Sequence, residues 1–101
     1  MIQLVVTANN TLYERLAQKA QKEAISPIRA TNVLDGFKMV AQQSPQSVIV
    51  DMALHAADTL VETLHSRPET AHIPIYAVKT NGRLPFELRR LCTDILEADA
   101  L

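Results

Sequence analysis

Asp51 is the residue whose position most invites chemistry. It directly follows the apolar run Ser47-Val48-Ile49-Val50, which reads as a buried strand, so its carboxylate emerges where that strand ends. A carboxylate so placed stands at the rim where ligands of an open parallel sheet gather; the alternative is an acid that closes the strand or caps the next element. Lys79 ends a second apolar run, Ile75-Tyr76-Ala77-Val78. It either approaches Asp51 as an ion-pair partner or snorkels off a strand end. His55, His65 and His72 share no helical i, i+4 spacing and no zinc-ligand motif, so they read as exposed loop residues and no metal site is expected. Cys92 sits beside Leu91 with no identifiable base, which fits a small core residue better than a reactive thiol. As the single cysteine of the chain it excludes an internal disulfide framework and a cysteine zinc cluster. Arg83, Arg89 and Arg90 cluster on what is either a solvated helix face or a partner-binding patch. Gly36 and Gly82 are far apart and form no phosphate-cradling fingerprint.

The composition limits what these residues can belong to. A chain of 101 residues, 48% apolar and 21% charged, suffices for one domain over 1–101 and not for two with separate cores. With 10 basic and 11 acidic side chains the net charge is −1, without the basic face that nucleic-acid binding needs. Aromatic residues are 4% of the chain, too few for a base-stacking platform. No apolar run approaches the ~20 residues that span a bilayer. The Met1-Ile2-Gln3-Leu4 start lacks the basic opening and cleavage site of a signal peptide. A cytoplasmic setting without membrane contact is expected.

The elements that must position Asp51 alternate between apolar runs and helix-period stretches. Residues 2–6 read as a buried strand. Thr11-Leu12-Tyr13-Glu14 resembles a capping box, and Leu12, Leu16, Ala20 and Ala24 give the first helix one apolar stripe. Ser26-Pro27 stops that helix, and residues 28–31 form a short edge strand. Asn32 caps a second helix running through Gln43, with Val33, Leu34, Phe37, Val40 and Ala41 inward and Gly36 weakening it slightly. A third helix over 58–66 turns Leu60, Val61 and Leu64 inside. After the strand at 75–78, Asn81-Gly82 signals a turn and Pro85 opens a short helix carrying Phe86, Leu88, Leu91 and Cys92. Residues 94–97 make a weak fifth strand. Strand and helix in alternation mean parallel strands joined by helical crossovers. Ligands of such sheets gather beyond the carboxyl ends of the strands, which selects residues 7–10, 51–55, 79–81 and 97–99.

Several of these stretches together carry a family resemblance. Val48-Ile49-Val50-Asp51-Met52-Ala53-Leu54, the later Asp58, Leu60 to Leu64, Arg67-Pro68 and Ala71-His72-Ile73-Pro74-Ile75-Tyr76-Ala77-Val78 resemble the receiver domain of bacterial two-component response regulators, from its phosphoacceptor aspartate to its fourth strand. The resemblance implies a flavodoxin-like α/β sandwich with a parallel sheet in the order 2-1-3-4-5. It implies Asp51 at the acceptor position, an acid pair holding magnesium after the first strand, a Ser or Thr after the fourth and a Lys after the fifth. Here Thr7-Ala8, or Ala8-Asn9 on a shifted match, stands at the acid pair, Lys79 at the Ser/Thr position with Thr80 one residue late, and Ala98 where the lysine belongs. Receivers also carry a fifth helix. This sequence stops at Leu101, so the expectation is either a fragment or another surface in that helix's place.

The resulting expectation is a pseudoreceiver, a degenerate receiver acting without phosphorylation, enzymatic activity or cofactor. It would bind a signalling protein or an attached effector domain through Arg83, Phe86, Arg89, Arg90, Ile95 and Leu96, with a homodimer through the fourth helix and fifth strand as the simplest closure. Two alternatives remain. One is a phosphoacceptor modified at Asp51 by a partner histidine kinase; the other is a small-ligand sensor at the same rim.

Overall fold

The computed structural model describes residues 1–79 and 84–100. Thr80, Asn81-Gly82, Arg83 and Leu101 lie outside the described residues, as do the side chains of Phe86 and Asp99. Among the described residues the elements run β1 (Ile2–Val6), α1 (Asn10–Lys22), β2 (Ser26–Ala30), α2 (Val33–Gln43), β3 (Ser47–Asp51), α3 (Ala57–Ser66), β4 (Ile75–Lys79), α4 (Phe86–Arg89) and β5 (Asp94–Glu97), closed by a 3-10 turn at Ala98–Ala100. The strands are parallel and ordered β2-β1-β3-β4-β5, the flavodoxin-like arrangement expected from the sequence.

The local chemistry explains most boundaries. Asn9, not Thr11, caps α1: its side-chain oxygen accepts from the Leu12 N–H at 3.1 Å, and Thr11 lies inside the helix. The helix begins that early because β1 ends at Val6 and the chain turns at once. The far end of α1 also differs from the sequence expectation. Ala24 is exposed with φ 61°, outside the helix, and the Ile25 N–H returns to the Ala20 carbonyl at 2.8 Å. This tight exit lets the Ser26 N–H reach the Met1 carbonyl at 2.8 Å, so β2 starts at Ser26 rather than Ile28. Pro27 is tolerated because β2 is an edge strand: Ser26 turns its N–H toward β1, so by alternation Pro27's missing donor falls on the open side.

Asn32 caps α2 as expected, accepting from the Asp35 N–H at 2.8 Å. Its inward face is narrower than the sequence suggests. Leu34 is 65% exposed and Ala41 is exposed, while Gly36 and Val40 are buried. Gly36 is the reason α2 can lie close to the sheet. A Cβ there would stand 3.3 Å from Val6 Cγ2 and 3.4 Å from Leu60 Cδ2. The short α4 ends at Arg89, leaving Leu91 and Cys92 in the turn beyond it.

Alternation along the strands divides the core in two. Leu4, Val6, Val48, Val50 and Ile75 pack with Val40 of α2 and Leu60, Val61 and Leu64 of α3. Val5, Ile49 and Val78 face the other way, against Leu12 and Leu16 of α1. Right-handed crossovers produce this division, because β1 reaches β2 in one direction and the later strands are laid down in the other.

The Gly36 contact is testable. Replacing Gly36 by Val should lower the unfolding free energy by about 2 kcal/mol through overpacking against Val6 and Leu60. The expected readout is a lower urea midpoint at unchanged slope. Gly36→Ala, which adds one carbon and gains helix propensity, should cost clearly less.

Candidate functional site

Asp51 ends β3 level with Val78 of β4, and Thr7 follows the last residue of β1 on the other side. Both side chains are buried, Thr7 at 0% and Asp51 at 5% exposure. The Thr7 hydroxyl donates to Asp51 Oδ2 at 2.7 Å. The other carboxylate oxygen, Oδ1, accepts from the Ala53 N–H at 3.0 Å. Each oxygen of Asp51 therefore holds a donor from its own chain, which is what a buried carboxylate requires.

Thr7 is itself held at each polar atom. Its N–H donates to the Ala30 carbonyl at 2.9 Å, and its hydroxyl oxygen accepts from the Asn9 N–H at 3.0 Å. Its carbonyl accepts from Arg29 Nε at 3.2 Å. The Arg29 guanidinium lies 5.0 Å from the centroid of the Tyr13 ring. Ala8 and Asn9 are exposed at the start of α1.

Of the two readings left open for Lys79, the ion pair with Asp51 is not formed. Lys79 pairs with Glu97 at 3.1 Å, with the two side chains 28% and 60% exposed. Strand register explains the difference. Asp51 is level with Val78 and Lys79 with Glu97, so Lys79, one residue on, projects to the opposite face of the sheet. As a solvent-screened pair, Lys79–Glu97 contributes at most about 1 kcal/mol. Ala98 packs against the α1-side cluster with Leu96 and Tyr76. Arg89 and Arg90 are exposed, and Ile95 and Leu96 are half-buried on β5, an edge of the sheet. On the α1 face a groove of about 360 Å³ is lined by Leu16, Ala20, Ile49, Tyr76 and Leu96.

His55, His65 and His72 are exposed, and no three metal-ligating side chains converge among the described residues. Burial pushes the Cys92 thiol above its ordinary pKa, the reverse of what a reactive thiolate needs. Among the described residues no helix is long and apolar enough to cross a membrane.

Among the described residues, those at the Asp51 rim do not fit a magnesium ion. A hard cation needs several oxygen ligands, commonly charged ones. Thr7, Ala8 and Asn9 add no carboxylate to that of Asp51. The sequence reading identified Thr7, Asn9 and Asp51 as rim residues but missed Arg29, Tyr13 and the Ala53 N–H. A usable signal existed: parallel pairing of β1 with β2 sets Arg29 beside Val5, two residues before Thr7.

Solved structures that superpose on this chain include receiver domains of response regulators and a sensor protein. The CheY-like response regulator receiver domain from Methylobacillus flagellatus superposes with a TM-score of 0.85 at 18% identity, over 96% of this chain and 85% of that one. The N-terminal domain of a response regulator receiver protein from Methanoculleus marisnigri JR1 gives 0.82 at 18%, over 95% and 82%. A sensor protein from Polaromonas sp. JS666 gives 0.84 at 20%, over 95% and 82%. The chain thus has the receiver fold. No protein-family model and no curated protein sequence matches it.

The Thr7–Asp51 bond should carry measurable stability. Thr7→Val keeps the shape but removes the donor to Asp51 Oδ2 and the acceptor for the Asn9 N–H. A buried hydrogen bond to a charged group contributes about 1.5–3 kcal/mol, so the loss in urea unfolding should fall in that range. Thr7→Ser, which keeps the hydroxyl, should lose less.

Proposed function

We propose that this chain is a receiver-type signalling module that works through protein interaction, without phosphorylation of Asp51. One observation carries the reading: both oxygens of Asp51 accept hydrogen bonds from the chain itself, one from the Thr7 hydroxyl where an acid is expected. A carboxylate attacking a phosphoryl group needs nearby cations to offset the developing charge, and here its neighbours are a neutral hydroxyl and a main-chain N–H. Lys79 is engaged with Glu97 on the opposite face, and Ala98 supplies no charge. The module is non-enzymatic and cytoplasmic. Its partner is a signalling protein or an attached effector domain, and its near-neutral charge leaves nucleic acid to others.

The contact surface in this reading is the β5 side. Ile95 and Leu96 are half-buried on an edge strand whose outer hydrogen-bonding groups face away from the sheet, and the exposed Arg89 and Arg90 flank them. Arg83 and Phe86 complete the proposed surface by sequence position.

Two experiments test the proposal. Incubation with acetyl phosphate and magnesium should leave the intact mass unchanged. An adduct that appears in the parent chain and disappears in Asp51→Asn would overturn the reading in favour of a phosphoacceptor. For the surface, light scattering over a concentration series should show a dimer that Leu96→Asp dissociates while circular dichroism stays unchanged. A parent chain monomeric up to about a millimolar, a range in which even weak dimers assemble, would remove self-association from the proposal.

A further inference from the structure

We propose that Arg29, on edge strand β2, is a positioning residue for Asp51 that acts through Thr7. The inference rests on the reading that the Thr7–Asp51 bond keeps Asp51 occupied, and it adds what holds that bond in place. Arg29 Nε donates to the Thr7 carbonyl at 3.2 Å. The Thr7 N–H is tied to Ala30, the neighbour of Arg29 on the same strand. Two consecutive residues of β2 thus grip both main-chain polar atoms of Thr7, one from the backbone and one from a side chain.

The grip matters because Thr7 lies beyond the last ladder residue of β1. Free of such contacts, a residue at the mouth of a strand explores several backbone and side-chain states. A charged donor on its carbonyl is a stronger restraint than a neutral one. Tyr13 restrains the donor in turn, with its ring 5.0 Å from the guanidinium carbon. Tyr13 belongs to the first turns of α1, and its N–H donates to the Asn9 carbonyl at 3.0 Å. The Asn9 N–H then returns to the Thr7 hydroxyl at 3.0 Å. The circuit Thr7, Arg29, Tyr13, Asn9 and Thr7 is closed. Because the hydroxyl already accepts from Asn9 and the ionised carboxylate can only accept, its single proton is directed at Asp51.

The test uses the full chain. Three-bond couplings to Thr7 Cγ2 report its χ1 rotamer by NMR. The parent should show one rotamer. Arg29→Met, which keeps an unbranched stem over Tyr13 but donates nothing, should give rotamer-averaged couplings at Thr7 and move the Asp51 carboxyl carbon resonance. Arg29→Lys, which retains a charged donor, should restore part of both signals. If Arg29→Met fails to fold, Tyr13→Leu removes the ring beneath the guanidinium and should give the same averaging to a lesser degree. Unchanged Thr7 couplings in the folded variant overturn the proposal. So does equal averaging at Val5 and Val78, which would mark general loosening of the core. In a Thr7→Val background, adding Arg29→Met should leave the Asp51 carbon resonance in place; a further displacement would mean that Arg29 acts on the carboxylate directly, against the proposal.

Discussion

A single neutral hydroxyl, that of Thr7, meets the buried carboxylate at the carboxyl end of this sheet. Asp51 is almost wholly removed from water at the junction of β3 with its neighbours. A charge so placed must be met by donors or by another charge. With an aspartate in place of Thr7, a second carboxylate would stand beside the first, and like charges so placed repel unless a cation or a proton relieves them. Threonine removes that requirement. It supplies the donor itself, is branched at Cβ as a strand end favours, and is in turn held by Asn9 and Arg29. The sheet therefore closes around Asp51 with a neutral side-chain donor and a main-chain donor.

The second constraint is parity. In a parallel sheet each residue's face is set by its strand's register, and one step along the chain reverses it. Asp51 shares its level with Val78, so the carboxylate belongs to the face packed by α1. Lys79 belongs to the other face and finds Glu97 there. The same parity lets Arg29 cooperate with Thr7: both lie on the α1 face, two levels apart on adjacent strands.

Much of this was legible in the residues. The strand-helix alternation, the Asn32 cap, the apolar stripe of α3 and the arrival of Asp51 at a strand end all come from short-range patterns, and each recurs in the structure. Misplaced features depended on geometry that no local pattern records. Thr11-Leu12-Tyr13-Glu14 satisfies a capping template, yet Asn9 sits where β1 releases the chain. Leu34 fits a helical stripe, yet the approach of α2 through Gly36 rotates it outward. At the site, the substitution of Thr7 for an acid was visible, and its consequence was not. The hydroxyl's acceptor lies 44 residues away, and its bond depends on the pairing of β1 with β3. Arg29 was hidden for the same reason, being a residue of an edge strand whose meaning emerges only in register.

On the proposed reading, the energetics of signalling also change. A phosphoryl group brings fixed charge into a site and biases a conformation from within. A module that lacks this step must take its bias from the partner, and a ligand shifts an equilibrium only by its differential affinity for the two states. Reversing a population from 1:99 to 99:1 takes about 5.5 kcal/mol. At roughly 25 cal/mol per Å² that corresponds to about 220 Å² of apolar surface buried in one state and exposed in the other. Two or three large side chains supply such an area. Tyr76 and Leu96 stand half-buried along the groove beside α1, in the same cluster as Val78, which shares its level with Asp51. A partner that covers them need not touch Asp51 to act on the strands that carry it.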